Sequence, residues 1–255
     1  MRSALVGATG FVGGNLRSTR HFTDEVGSLD SHRLAGQHYD RVVFAAARAE
    51  KWRINQDPDT DARHIAQLQA LLGTFTTEQL VLVSTVDVYA APVGVYEDTP
   101  VLTDDLHPYG LHRFQLEQFA RATHPTTVLR LPGLFGAGLK KNVIFDLLHG
   151  NNVDRIHRAG SFQYYNLAHL ADDIDLVVSS GIDLVNLATE PIRTDDLARE
   201  AFGLDFTNEP EGVSAGRYDM RTRHASLFGE SSAEYAYSRT AVLDDLRRFV
   251  SDEAR

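Results

Sequence analysis

Three glycines near the start of the chain constrain its fold more than any other feature. Gly7, Gly10 and Gly13 lie three residues apart, directly after the apolar run 3–6. Glycines at this spacing let a strand turn tightly into a helix whose first N–H groups can bind a pyrophosphate. The spacing therefore predicts a dinucleotide-binding turn, and the alternative is the same turn without a ligand. The predicted cofactor-contacting residues of the turn are Gly7, Thr9, Gly10, Phe11, Val12 and Gly13.

Beyond this turn, short apolar runs alternate with longer amphipathic stretches, a pattern typical of strands and crossover helices in a parallel sheet. The predicted strands are 3–6, 25–29, 41–46, 80–85, 128–131 and 183–187. The predicted helices are 11–21, 59–74, 111–122, a helix capped by Thr194 that runs to 202, and a C-terminal helix with an apolar face over 242–250. The predicted fold class is α/β, a Rossmann-type doubly wound parallel sheet with a small C-terminal substrate lobe.

The length of 255 residues suits one large domain with a small second lobe. We expect residues 1–128 and 161–187 to form a dinucleotide-binding Rossmann domain. Residues 129–160 and 188–255 are expected to form a small substrate-binding lobe. Residues 208–232 show the least pattern, which indicates a loop or a small extra lobe.

The composition excludes several classes of protein. The chain has no cysteine, which excludes a disulfide framework, a thiolate zinc site and a cysteine nucleophile. Its 11 histidines show no metal-ligand spacing, so we predict no metal site. A net charge of −10 argues against nucleic acid and anionic membranes as partners. With no apolar run near the ~20 residues that span a bilayer and no signal-peptide pattern, we expect a cytoplasmic protein with a small-molecule partner.

The second predicted strand bears on the kind of cofactor. Asp30 follows Gly13 by 17 residues, close to the spacing at which an acidic residue accepts hydrogen bonds from the adenosine ribose of NAD. Ser28 could instead end the strand, with His32 and Arg33 placed to meet the 2′-phosphate of NADP. The sequence favours NAD and leaves NADP as the alternative. Three small residues at the end of the third predicted strand suit close approach of the cofactor, namely Ala45, Ala46 and Ala47.

Two later segments carry the residue pattern of an active site, VLVSTVDVYA at 81–90 and HPYGLHRFQLE at 107–117. Together with GATGFVG at 7–13, they resemble the extended short-chain dehydrogenase/reductase family, the nucleotide-sugar epimerases and dehydratases. The resemblance runs from the N-terminus to about residue 174. It implies that Thr85 is the hydroxyl residue of the site and Tyr109 its acid/base. It also implies a cation at position 113, which lowers the pKa of the tyrosine and binds the nicotinamide ribose.

The chain departs from the family pattern at position 113, which is arginine where the family has lysine. A guanidinium stabilises a phenolate and donates to ribose hydroxyls, but it is planar and cannot serve as a proton relay. We expect Arg113 to replace the lysine in a Thr-Tyr-Arg variant of the site. The alternatives are a degenerate site that binds nucleotide without turnover, or a surface salt bridge.

The resemblance also bears on the reaction and the substrate. Sugar dehydratases of the family place an acid pair after the threonine, whereas this chain has Val86 and Asp87, which favours epimerisation or simple oxidation and reduction. Residues 128–142 resemble the family segment that opens toward the sugar nucleotide. Residues 128–160 contain five basic and two acidic side chains, a local charge of +3 that suits an anionic substrate. The predicted substrate-binding residues are Asp87, Arg130, Lys140, Lys141 and Asn142.

The sequence thus predicts a NAD(P)-dependent oxidoreductase or epimerase that acts on a nucleotide-activated sugar. The rival prediction is a non-catalytic dinucleotide-binding regulator or sensor with a degenerate active site. Because members of the family often dimerise through the helix that carries the tyrosine, the resemblance also implies a homodimer.

Overall fold

A six-stranded sheet is the centre of the structure, a computed structural model that describes residues 1–229 and 233–253. The strands in chain order are β1 (Ser3–Val6), β2 (Asp24–Val26), β3 (His38–Phe44), β4 (Thr76–Thr85), β5 (Val93–Val95), β6 (Thr126–Leu131), β7 (Gly133–Phe135), β8 (Ser161–Phe162), β9 (Tyr164–Asn166), β10 (Leu184–Asn186), β11 (Ile192–Arg193) and β12 (Asp219–Met220). The helices are α1 (Phe11–Thr19), α2 (Lys51–Gln56), α3 (Pro58–Leu72), α4 (Pro108–Thr123), α5 (Val143–His149), α6 (Leu170–Ser179), α7 (Thr194–Phe202) and α8 (Arg239–Glu253).

The central sheet has the strand order β10-β6-β4-β3-β1-β2. The pairings that join β2, β1, β3, β4 and β6 are all parallel. From β1 the chain runs to β2 on one side and then to β3 on the other, so the strand order reverses between β1 and β3. Open α/β sheets bind their ligands at the carboxyl ends of the strands next to such a reversal. The topology confirms the predicted α/β fold with a Rossmann-type sheet.

The chain divides into two compact units. The first comprises Met1–Ala91, Asp98–Leu131 and Leu170–Val185, and the second comprises Pro92–Glu97, Pro132–His169 and Asn186–Arg255, apart from the residues that the structure does not describe. Each unit has its own apolar core, and burial of these apolar side chains stabilises the fold of the unit. The first core includes Val42, Phe44, Ile65, Leu82 and Leu116, and the second includes Phe135, Ile144, Leu197, Leu243 and Leu246. The assignment of dinucleotide and substrate binding to separate domains stays a prediction.

Three differences from the predicted elements affect the site. β2 ends at Val26 rather than at 29, because the N–H of Gly27 donates to the Asp30 carboxylate at 2.6 Å instead of continuing the strand. α4 begins at Pro108 rather than at 111, because His107 caps the helix and proline suits its first position. The sequence pattern does not predict α2, since six residues are too few to show a helical period.

The described part of the predicted loop, residues 208–229, contains β12 and a short 3₁₀ turn at Ala225–Phe228. Residues 230–232 of that prediction lie outside the described residues. Within the described chain, every helix is too short or too polar to cross a membrane. The same residues contain no cluster of three metal-ligating side chains.

Candidate active site

The glycine turn joins β1 to α1 with its backbone against the end of β3. Gly7 has a φ of +90°, and a Cβ there would lie 2.5 Å from the carbonyl oxygen of Ala45. A Cβ at Gly13 would lie 2.1 Å from the carbonyl oxygen of Gly7. Gly10 occupies the N-cap of α1 and has no side chain to accept from the first N–H groups of the helix. Backbone packing therefore requires glycine at positions 7 and 13. The residues that follow β3 are half-buried, namely Ala45, Ala46 and Ala47.

Asp30 closes the turn that follows β2. One of its carboxylate oxygens accepts from the N–H of Gly27 at 2.6 Å, and the other lies 3.5 Å from the Arg33 guanidinium. Arg33 also lies 3.3 Å from Asp24, so two carboxylates hold it. The neighbouring Leu29 is 94% exposed. Local hydrogen bonds thus hold the carboxylate of Asp30, the residue that the sequence predicts to contact the adenosine ribose.

Thr85 at the end of β4 and Tyr109 at the start of α4 are neighbours, close enough that Thr85 lowers the pKa of the Tyr109 phenol. The helix comes this close because of Gly110, where a Cβ would lie 2.1 Å from the carbonyl oxygen of Asp87. On its other side, the N–H of Tyr109 donates to the side-chain oxygen of Asn55 in α2 at 3.1 Å. The structure therefore brings together the two residues predicted as hydroxyl residue and acid/base.

Tyr109 is 7% exposed, and burial raises the pKa of its phenol above the ordinary value. Four neighbours modulate this effect. Arg113, the Thr85 side chain and the charge of Lys51 lower the pKa, whereas Asp87 raises it. Because the pKa remains raised, Tyr109 holds its proton at neutral pH.

Arg113 lies one turn further along α4 and is 3% exposed. Its guanidinium donates to the two carboxylate oxygens of Asp61 at 2.9 and 3.2 Å, and to the carbonyl oxygen of Arg48. The Nδ1 of His112 lies 2.8 Å from the same carboxylate. The Cζ of Arg113 is 4.7 Å from the centroid of the Tyr109 ring. Arg113 thus presents its charge to the ring, while its two terminal nitrogens bond to Asp61 and Arg48 and its buried Nε has no hydrogen-bond partner among the described residues.

A polar cluster beside Tyr109 includes two residues to which the sequence analysis assigns no role, Lys51 and His107. The Nζ of Lys51 donates to the Asp87 carboxylate at 2.7 Å, and the Nε2 of His107 lies 4.0 Å from the same oxygen. The rings of His107 and Tyr109 stack with centroids 6.2 Å apart. Burial, together with the charge of Lys51, lowers the pKa of His107. The sequence carries no local signal for the contact between Lys51 and Asp87, because the two residues lie 36 positions apart.

Arg130 belongs to a buried network in the first unit. It is 4% exposed, and its guanidinium donates to Glu117 of α4 at 2.6 and 3.1 Å. It also donates to the hydroxyl of Tyr89 at 2.7 Å, while Glu117 accepts from the hydroxyl of Ser84 at 2.5 Å. The side chain predicted to meet substrate is therefore engaged inside the first unit.

The remaining predicted substrate residues lie in the second unit. Lys140 and Lys141 are exposed between β7 and α5. Asn142 has a φ of +110° and caps α5, where its side-chain oxygen accepts from the N–H groups of Ile144 and Phe145 at 3.0 and 3.2 Å. Its amide nitrogen donates to a backbone carbonyl of β7 at 2.9 Å. The helix cap thus uses both ends of the Asn142 amide.

Neither a protein-family model nor a curated protein matches the sequence. Solved structures match along the whole chain. MoeE5 in complex with UDP-glucose and NAD is 18% identical, with a TM-score of 0.76 over 100% of this chain and 99% of that one. A dTDP-4-dehydrorhamnose reductase from Clostridium acetobutylicum is 14% identical, with a TM-score of 0.75 over 100% of both chains. UDP-glucose 4-epimerase from Thermotoga maritima is 16% identical, with a TM-score of 0.68 over 100% of this chain and 99% of that one.

These likenesses concern the fold. The chain has the Rossmann-type fold of nucleotide-sugar epimerases, dehydratases and reductases, which confirms at the level of the fold the resemblance predicted from its motifs.

Proposed function

We propose that the chain is a NAD(P)-dependent oxidoreductase or epimerase that acts on a nucleotide-activated sugar. The observation that carries this proposal is the placement of the buried Tyr109 beside Thr85, in the unit that also holds the glycine turn. The turn follows β1 and Thr85 ends β4, so both lie at the carboxyl edge of one parallel sheet. The likeness to MoeE5, solved with UDP-glucose and NAD, supports the same class of reaction.

The residues of the glycine turn fit a dinucleotide. Gly7 and Gly13 let the backbone close, and Gly10 leaves the start of the nine-residue α1 open to a pyrophosphate, which its N–H groups and helix dipole attract. A bound nicotinamide supplies hydride transfer. We propose NAD, with Asp30 at the adenosine ribose, and NADP with Arg33 at the 2′-phosphate as the alternative. Structures with this fold have been solved with NAD and with NADPH.

Tyr109 is the proposed acid/base, and Thr85 orients the substrate hydroxyl. Because burial raises the pKa of Tyr109, the phenol carries the proton that a substrate oxygen needs when a ketone is reduced. In oxidation the same oxygen accepts the hydroxyl proton, and the nearby charge of Arg113 stabilises the resulting phenolate. We retain the contact of Arg113 with the nicotinamide ribose as part of the proposal, because its Nε has no hydrogen-bond partner in the described part of the chain although both terminal nitrogens are engaged.

For the substrate we propose a sugar joined to a nucleoside diphosphate. The exposed Lys140 and Lys141 suit its phosphates, and Asp87 lies in the proposed site. Valine at position 86 removes one member of the dehydratase acid pair, which favours epimerisation or oxidation and reduction. Arg130 and Asn142 are engaged within their own units, so we leave them out of the proposed substrate contacts.

Turnover of a panel of nucleotide sugars, followed by NMR with NAD or NADPH present, tests the proposal. The wild-type chain is expected to convert at least one sugar. Tyr109→Phe keeps the ring and removes the proton, so it should lose at least about a hundredfold in rate while calorimetry shows unchanged dinucleotide binding. A wild-type chain that binds dinucleotide and converts no sugar would favour the regulator. A chain that does neither contradicts the proposal.

A further inference from the structure

Arg113 cannot exchange a proton with its surroundings. A guanidinium stays protonated in proteins, and this one is buried with its two terminal nitrogens bonded to Asp61 and Arg48. Arg113 therefore supplies a permanent charge beside Tyr109. Arg113 therefore cannot return a proton to the buried phenol of Tyr109 or take one from it, and another residue has to do so.

Lys51 has the chemistry that Arg113 lacks, because an ammonium gives up a proton and takes it back. Its Nζ lies 2.7 Å from the Asp87 carboxylate, and its side chain is 37% exposed while that of Asp87 is 15% exposed. The pair thus reaches from the interior of the site to solvent. The lysine stands out in a chain that uses arginine at nearly every other basic position.

Two contacts that involve no charged side chain place this pair beside Tyr109. The N–H of Tyr109 bonds to Asn55, which lies one turn after Lys51 in α2. Gly110 packs directly on the carbonyl of Asp87. Both charges are close enough to shift the pKa of Tyr109, Lys51 downward and Asp87 upward. The position of the pair therefore follows from the way α2 and α4 meet.

Thr85 neighbours both Asp87 and the phenol. Its hydroxyl oxygen accepts from the backbone N–H of Asp87 at 3.2 Å, and its side chain lowers the pKa of Tyr109. His107 faces the same Asp87 oxygen, and because its pKa is lowered it is neutral at pH 7. Lys51 is thus the charged partner of Asp87.

We propose that Lys51, held by Asp87, exchanges the proton of Tyr109 with solvent. When Tyr109 has protonated a substrate oxygen, one N–H bond of the Lys51 ammonium breaks and its proton passes through a water molecule to the phenolate. The lysine amine then takes a proton from solvent. In the oxidative direction the phenol proton passes through the water molecule to the lysine amine, and the resulting ammonium releases a proton to solvent. Tyr109 and Lys51 thus return to their starting protonation states.

This inference rests on the proposed function and sharpens it. Oxidation of a sugar alcohol to a ketone releases one proton for each hydride transferred, and reduction takes one up. Epimerisation returns both the hydride and the proton to the same sugar. A relay to solvent therefore favours net oxidation or reduction as the reaction of this site.

Hydroxyl exchange at Tyr109 tests the relay without sugar or dinucleotide. In an equal mixture of H₂O and D₂O, the labelled ring carbon next to the hydroxyl gives separate NMR signals for the protonated and deuterated forms when exchange is slow. Tyr109→Phe assigns the signal. We expect Lys51→Met and Lys51→Arg both to slow exchange at least about tenfold, since the arginine restores charge without proton transfer.

Arg53→Met is the matched control, because Arg53 lies in the same helix, with its side chain 68% exposed and 3.7 Å from Glu50. It is expected to leave the exchange rate unchanged. The relay is overturned if the Tyr109 hydroxyl of Lys51→Arg exchanges at the wild-type rate. It is also overturned if substitutions at positions 51 and 53 slow the exchange equally. Slowed exchange in a chain that converts no nucleotide sugar refutes the proposed function and leaves the relay standing.

Discussion

At the scale of single residues, the ion pair between Arg113 and Asp61 has a consequence for stability. Removing one partner of a buried pair leaves the other charge uncompensated, which costs ~3–5 kcal/mol. Arg113→Met should lower the free energy of unfolding by about that amount, because Asp61 would lose both guanidinium hydrogen bonds and keep the one with His112. Denaturant unfolding measures the change. Arg121→Met on the exposed side of α4 is the control, and an equal loss there would contradict a structural role for the pair.

The ion pair of Asp61 should also make the free energy of unfolding depend on pH. Burial alone would raise the pKa of this carboxyl, but hydrogen bonds and charges from Arg113 and His112 outweigh burial and hold the pKa below its ordinary value. A carboxylate with a depressed folded pKa stabilises the fold above its unfolded pKa of about 3.9. That stability is lost as the pH falls through the folded pKa. In acid unfolding series, Asp61→Asn should therefore show a smaller loss of stability below about pH 4 than the wild type, whereas parallel curves would contradict the assignment.

At the scale of elements, the turn into α1 offers two neighbouring glycines with opposite expectations. Gly13→Ala places a Cβ 2.1 Å from the carbonyl oxygen of Gly7, which should cost ~1–3 kcal/mol of stability and abolish dinucleotide binding. Gly14→Ala meets no atom within 4 Å, so helix propensity should make it ~0.5–1 kcal/mol more stable. Unfolding and calorimetry of both variants measure these effects. A Gly13→Ala protein with normal stability and binding would contradict the packing of the turn.

Elements whose pattern extends over many residues could be predicted from the sequence. α3 and α4 show an apolar face over 15 and 16 residues, and β4 continues beyond its apolar run because it pairs with β3. α2 and α5 have six and seven residues, too few for a helical period to appear. Thr85 and Tyr109 could be found because each stands in a local motif. Lys51 could not, since its partner Asp87 is 36 residues away and the contact depends on where α2 packs.

At the scale of the whole molecule, charge counted along the sequence overstates the positive field of residues 128–160. Five basic side chains give that stretch its excess, but Arg130 pairs with Glu117 inside the first unit and Arg158 pairs with Glu209 in the second. Lys140 and Lys141 remain exposed. The sequence could not distinguish these cases, because burial and partners are set by residues far along the chain.

We propose that this chain moves a hydride from a sugar carbon while Tyr109 carries the proton. A nucleotide sugar with deuterium on the ring carbon to be oxidised, incubated with the chain and dinucleotide, tests this reaction. Mass spectrometry of the cofactor and NMR of the sugar locate the label. With the wild type we expect deuterium in the nicotinamide or on an inverted sugar carbon, and with Tyr109→Phe we expect neither. If dinucleotide is bound and the label stays on an unchanged sugar for every nucleotide sugar in the panel, Tyr109 does not support hydride transfer in this chain.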